Sequence, residues 1–312
     1  MTRILITGSN GLLGRKLVNI LSGMPEIELT ATSRSENKNK ETSAYRFERM
    51  DITNIMHVKT ILEKANPDII IHTAAESRPD FCEENPVKCW SANVDAVKTL
   101  LDSAGLVKAH FIHLSTDFVF DGFHGPYNEE ALPSPVSLYG NSKQESENLV
   151  MKYQYGWTII RTILVYGVLP VMARSNIIIR TIENLKQGQE IKAVDDQYRM
   201  PTLAEDLADA CIAAALKKAT GIYHISGNDM MSIYELCSKT AKFFGFDSKL
   251  IRPVPTISLN EKARRPARTG FIIQKAQKEL DYMPVSFNRG LEIIMDQINI
   301  ISSNGGTISY YS

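Results

Sequence analysis

Apolar residues along this chain fall into short unbroken runs such as Ile4-Leu5-Ile6 and Ile69-Ile70-Ile71, separated by longer stretches with helical spacing. Unbroken β-branched runs without alternation suit strands buried on both faces. Strands are expected at 3–7, 27–33, 44–50, 68–72, 110–114, 157–164 and 221–225, and helices at 12–21, 55–64, 86–104 and 143–153. Strand and helix in alternation give a parallel sheet covered on both faces. The right-handed crossover rule then favours a doubly wound α/β sheet. Beyond residue 166 helices dominate, at 176–187, 203–217 and 232–244, and a Pro- and Arg-rich loop follows at 252–269. The expected organisation is a first domain over 1–166 joined by a returning strand near 221–226. A smaller α+β domain occupies most of 167–300, and 301–312 is a Gly- and Ser-containing tail.

Composition narrows the classes. The chain has 312 residues, 35 Lys+Arg against 35 Asp+Glu, and 44% hydrophobic residues, so it carries no basic excess of the kind nucleic-acid binders show. It lacks a run of about 18 apolar residues, so no membrane span is expected. The amino terminus opens on a strand-like run rather than a leader pattern, and a cytoplasmic location is the expectation. Cys82, Cys89, Cys211 and Cys237 form no CxxC pair and have no His cluster beside them. They read as reduced thiols, with no metal site.

The first strand runs into Gly8-Ser9-Asn10-Gly11-Leu12-Leu13-Gly14, and a helical pattern follows. Glycines at this spacing allow a tight turn, backbone approach to a pyrophosphate and close helix–strand packing. The helix amino terminus adds free N–H groups and a positive dipole end. A Rossmann-type dinucleotide site is therefore expected, with Gly8, Asn10, Gly11, Leu12, Leu13 and Gly14 as cofactor contacts. The second strand ends in Ser33-Arg34, not in the acidic residue that would hold a ribose 2′-OH. A guanidinium suits a 2′-phosphate, which favours NADP over NAD, although a solvated Arg34 is nearly as good a reading and NAD stays open. Asp51 and Ile52, after the third strand, are candidates for the adenine edge, unless Asp51 only caps the following helix.

Tyr139-Gly140-Asn141-Ser142-Lys143 has the spacing Y-x-x-x-K. On a helix, residues four apart share a face. A phenol of pKa about 10 is a poor acid–base group near neutrality, and a neighbouring ammonium would lower it. The strand at 110–114 leads into Ser115-Thr116-Asp117, where a hydroxyl at a strand's carboxyl end can bond a substrate carbonyl.

TGSNGLLG at 7–14, HTAA at 72–75, LSTDFVFDG at 114–122 and YGNSK at 139–143 resemble the extended short-chain dehydrogenase/reductase superfamily. Within it the chain is most similar to the dTDP-4-dehydrorhamnose reductases and their sugar-nucleotide relatives. RTILVYG at 161–167, RMPT at 199–202 and RRPART at 264–269 resemble that family's substrate-domain motifs. The resemblance implies a triad of Thr116, Tyr139 and Lys143. It implies that Ala74 and Ala75 pass beneath the cofactor, that Asn93 braces the sheet near the site, and that Lys143 also holds the nicotinamide ribose. The implied reaction is NADPH-dependent reduction of a 4-keto sugar on a nucleotide diphosphate. Arg199, Arg265 and Arg268 are candidates for the substrate pyrophosphate, which needs cations with fork geometry, and Arg78 is another. Surface solvation is the competing role for Arg78 and Arg268.

The related 4,6-dehydratases carry Asp-Glu after the Thr. Here Asp117-Phe118 follows, which disfavours a dehydratase and leaves Asp117 to orient the substrate or Tyr139. Arg15-Lys16 follow Gly14 where some relatives place an acidic residue, so no metal is expected there. AAESRPD at 74–80 also resembles the regulatory β subunit of methionine adenosyltransferase, a cofactor-binding protein without turnover. An epimerase that never releases its cofactor is a third reading. A homodimer is the base-rate expectation.

Overall fold

The computed structural model describes residues 1–39, 43–172 and 174–310. Seven strands form one sheet: β1 (Thr2–Thr7), β2 (Ile27–Ser33), β3 (Arg46–Arg49), β4 (Ile69–His72), β5 (His110–Thr116), β6 (Trp157–Thr162) and β7 (Gly221–Ile225). Their spatial order is β7-β6-β5-β4-β1-β2-β3, and every pairing is parallel. The order reverses between β1 and β4, the switch point at which ligands of such sheets sit. This is the expected Rossmann-type α/β architecture.

The helices are α1 (Leu12–Leu21), α2 (Ile55–Ala65), α3 (Pro79–Glu84), α4 (Pro86–Trp90), α5 (Ala96–Val107) and α6 (Leu138–Met151) in the first half. The second half adds α7 (Ile177–Lys186), α8 (Ala204–Leu216), α9 (Ile233–Phe243), α10 (Gln274–Leu280) and α11 (Phe287–Ser303). Alternate residues of β1 serve opposite layers. Ile4 and Ile6 pack with Leu17 and Val18 of α1, Leu207 of α8 and Leu280 of α10. Leu5 packs with Leu62 of α2, Leu100 of α5 and Val150 of α6. Each such side chain contributes about 1.5–3 kcal/mol on full burial.

A second core gathers Tyr166, Ile178, Ile182, Leu236, Leu291 and Ile294 from α7, α9 and α11. The 203–217 segment was expected in this smaller unit. Instead α8 lies on the large sheet with α10, because its buried Leu207, Ala208 and Cys211 belong to the β1 core. The helix expected over 86–104 forms and runs without interruption from Pro86 to Val107. Pro86 starts a new helix because it lacks an N–H and forces Asn85 out of helical geometry (φ −133°, ψ 64°). A π segment at Ser91–Asp95, with αR backbone at both junctions, joins α4 to α5. The 252–269 loop begins with an edge strand, Ile251–Val254, paired in parallel with Ile191–Val194. All four cysteines are free and buried. Among the described residues no helix is long and apolar enough to cross a membrane.

Candidate active site

The glycine loop leaves β1 at the switch point. Gly8 has φ +72°, and a Cβ there would lie 2.8 Å from the Ala74 nitrogen. A Cβ on Gly14 would lie 2.3 Å from the Gly8 carbonyl oxygen, so α1 can sit this close to β1 only without a side chain. Gly11 precedes α1 and no side chain caps that helix end. Its first N–H groups, from Leu12 and Leu13 onward, are therefore the donors an anion would use. Asn10 orders the neighbouring loop. Its Nδ2 donates to Ser35 Oγ (3.0 Å) and Glu36 O (2.8 Å), and its Oδ1 accepts from Lys38 N (3.0 Å).

That loop carries Arg34, which is exposed just past β2. Asp51 sits near enough to Arg34 to feel its charge. Burial pushes the Asp51 carboxyl up, but hydrogen bonds from Thr53 and the Arg34 charge outweigh it and leave the pKa lowered. Asp51 organises the turn, accepting from Thr53 N and Oγ1, while the cap of α2 is Asn54. Ile52 beside it is half-buried.

Helix α6 begins at Leu138, five residues before the expected start, so Tyr139 and Lys143 share its first turns. Ser137 Oγ caps it by accepting from Gly140 N, and Glu83 accepts from Leu138 N at 2.8 Å. The Tyr139 ring packs edge-on to Phe118 and among Cys82 and Cys89. Burial pushes its phenol pKa up, the neighbouring Thr116 hydroxyl opposes the rise, Asp117 adds to it and Arg174 opposes it. The net direction is upward. The expectation of a phenol lowered by Lys143 is thus corrected. The amine turns to His113, with Nζ 3.0 Å from Nε2. Burial lowers the Lys143 pKa to about 8, with the Glu147 charge opposing.

Thr116 ends β5, and its hydroxyl donates to Asp117 Oδ1 (3.1 Å). Thr269 donates to Asp117 Oδ2 (2.5 Å), and Arg199 Nε lies 3.5 Å from the same oxygen. Asn93, carried by the π turn, donates from Nδ2 to Glu76 O (2.9 Å) and Ser142 Oγ (3.0 Å) and accepts from Glu76 N (2.9 Å). One amide thereby ties the chain just after Ala74-Ala75 to α6. Ala74 N itself donates to Thr7 Oγ1 at 3.3 Å, which holds this segment against the glycine loop.

Residues 1–300 match the family described as the RmlD substrate binding domain. The chain belongs to this family. It is 32% identical to methionine adenosyltransferase 2 subunit beta of Xenopus tropicalis over 258 residues, covering 81% of this chain and 75% of that one. It is 30% identical to dTDP-4-dehydrorhamnose reductase of Aggregatibacter actinomycetemcomitans over 307 residues, covering 94% and 98%. Among solved structures it resembles dTDP-4-dehydrorhamnose reductase from Bacillus anthracis in complex with NADP, with 26% identity, a TM-score of 0.81 and coverage of 95% and 100%.

In this RmlD-family chain the expected pyrophosphate cations have varied surroundings. Arg199 is 3% exposed and donates to the carbonyls of Tyr198 (2.7 Å) and Pro266 (2.7 Å). Its fork holds the 264–269 loop and faces Asp117. Arg265 pairs with Asp80 (2.6 Å) and Glu261 (2.9 Å). Arg78 pairs with Glu76 (2.6 Å) and lies over the Phe81 ring. Arg268 is exposed and stacks over Tyr198 at 5.1 Å. Arg161, read as part of a substrate-domain motif, lies in β6 and pairs with Glu147 inside the sheet layer.

The sequence reading missed Arg174. It is exposed, donates to Ser77 Oγ at 2.7 Å, and its charge reaches Tyr139. It also missed Glu83 and His113. Nothing in local spacing marks them, since each meets the site through a fold contact.

Proposed function

We propose that this chain is an NADPH-dependent reductase of a nucleotide-linked 4-keto-6-deoxy sugar, similar to dTDP-4-dehydrorhamnose reductase. The observation that carries the reading is the meeting of Thr116 and Tyr139 at the carboxyl end of β5, with Lys143 one helical turn away. The uncapped α1 terminus and the Gly8–Gly14 cradle fit a pyrophosphate, and exposed Arg34 with no carboxylate at the end of β2 fits a 2′-phosphate. Gly8, Asn10, Gly11, Leu12, Leu13, Gly14, Arg34, Asp51, Ile52, Ala74 and Ala75 would surround NADPH, and Lys143 its ribose. Bound NADPH would supply a hydride to C4 of the sugar.

The protein's part is proton chemistry and orientation. A phenol whose pKa is raised stays protonated at neutral pH, so the proton is in place, and it would pass to the oxygen on C4 only as hydride arrival makes that oxygen a strongly basic alkoxide. Thr116 would turn its hydrogen from Asp117 to that oxygen and hold it. Asp117 positions Thr116 and is itself fixed by Thr269 and Arg199.

Lys143 gives the reaction its alkaline limit. Its ammonium is the required form, so kcat is expected to fall as pH rises through about 8, checked by a pH–rate profile. The same shift acts on stability with a defined sign. The native pKa lies below the unfolded value of 10.5, so the charged amine penalises folding below pH 8 and the penalty fades as pH rises toward 10.5. A residue held at such a cost fits a functional site. Arg174 would meet the substrate's anionic bridge from the smaller domain. Arg174→Ala is expected to raise KM for the sugar nucleotide about tenfold with kcat changed far less, read by steady-state kinetics.

The similarity to methionine adenosyltransferase 2 subunit beta supports a second reading, a cofactor-binding regulatory protein. The shared-looking 74–80 segment does not favour it, because its polar residues have structural work. Glu76 holds Arg78, and Asp80 accepts from Lys262 N, Ala263 N and Arg265. The deciding experiment follows NADPH absorbance with dTDP-4-dehydrorhamnose present or absent. Substrate-dependent loss supports the reductase. Confirmed NADPH binding without consumption across dTDP-, UDP-, GDP- and CDP-linked keto sugars supports the regulatory reading.

A further inference from the structure

Among the described residues, no carboxylate pairs with Lys143, although the amine is buried (2% exposed). Its hydrogen-bond neighbour is Nε2 of His113 at 3.0 Å. His113 is fully buried on β5, opposite His72 of β4, and stacks on the His72 ring at 5.5 Å. Burial and the Lys143 charge keep its imidazole neutral. Nε2 has a second neighbour, Ser146 Oγ at 2.9 Å, and that oxygen lies 2.8 Å from the Lys143 carbonyl. The Nδ1 atom is buried with no partner.

These contacts decide the tautomer. A hydrogen on Nε2 could go to Ser146, but it would face an ammonium that has only hydrogens to offer. A hydrogen on Nδ1 leaves Nε2 free to accept from Lys143, and Ser146 keeps its bond to the carbonyl. The second arrangement leaves a neutral N–H unsatisfied; the first leaves a buried charge unsatisfied, which costs more. The Nδ1 hydrogen has nowhere to go, so the ring cannot hand a proton onward.

We infer that His113, neutral and protonated on Nδ1, is the acceptor that holds the Lys143 ammonium in place, a positioning residue for that amine and not a link in a proton chain. The inference deepens the reductase reading, on which the importance of Lys143 rests. One of three ammonium hydrogens goes to His113, and two remain for cofactor or solvent.

Two measurements on the cofactor-free protein test it. Long-range ¹⁵N–¹H NMR of histidine-labelled wild type should show His113 with Nδ1 protonated and Nε2 bare across neutral pH. An Nε2-protonated ring overturns the inference. Titration by ¹³Cε-lysine NMR should place the Lys143 midpoint about one pH unit or more lower in His113→Met, where the charged form loses its acceptor. His113→Gln should restore it, because its carbonyl can accept. An unchanged midpoint in His113→Met overturns the inference. If that variant fails to fold, the wild-type tautomer still decides. Neither readout depends on turnover, so silence in the NADPH assay would remove the reductase reading while leaving these results to judge His113.

Discussion

Tyr139→Phe is expected to lower kcat by about a hundred- to ten-thousand-fold while leaving NADPH affinity within about twofold. The change deletes one oxygen and keeps the ring that packs against Phe118, Cys82 and Cys89. The glycine loop, which would hold most of the cofactor, stands on β1 and α1, apart from α6. The variant thus separates binding from proton donation. Thr116 can still hold the carbonyl oxygen, but its own hydrogen has a carboxylate partner in Asp117 and no ammonium behind it. Steady-state rates with dTDP-4-dehydrorhamnose, alongside NADPH fluorescence titration, are the measurement. A variant retaining a tenth or more of wild-type kcat would mean that the phenol is not the donor.

What could be read from the sequence was local. The run from Ile4 to Gly14 contains its own strand, turn and helix start, so the glycine loop needs no distant partner to be recognised. Tyr139 and Lys143 are four apart on one helix, a relation that survives any error in topology. The π turn that aims Asn93 was not legible, since its one-residue expansion makes sense only against Glu76 and Ser142. The partners of the cationic residues were not legible for a related reason. Arg199 reads as a candidate ligand cation and Arg161 as part of a substrate-domain motif, while their carboxylate partners, Asp117 and Glu147, arrive from other elements. Arg174 and His113 become informative only through contacts 97 and 30 residues away.

The buried pair behind the site has the largest expected effect on stability. Sheet register sets Arg161 of β6 between Ser115 of β5 and His224 of β7. From there its guanidinium reaches Glu147 of α6, with Nε 3.0 Å from Oε1 and Nη2 2.7 Å from Oε2. Ser115 also donates to Oε1 at 2.5 Å, and the guanidinium lies over the Phe120 ring. Both partners are fully buried, so neither charge can turn to water when the other is lost. Glu147→Gln keeps the shape but replaces an acceptor by an amide donor facing a guanidinium. Its expected cost is about 3–5 kcal/mol, a large part of the 5–15 kcal/mol typical of a folded domain. Chemical denaturation reads it as a lower midpoint with unchanged slope. Replacing Glu147 and Arg161 together by Met should recover much of the loss, because no unpaired charge then remains buried. The same substitution reaches the site. Glu147 is one helical turn from Lys143 and its charge favours the ammonium. Without it the amine pKa should fall further below 8, and the alkaline limb of the pH–rate profile should move to lower pH. A destabilised Glu147→Gln protein whose alkaline limb stays in place would confine this carboxylate to the fold and separate it from the chemistry.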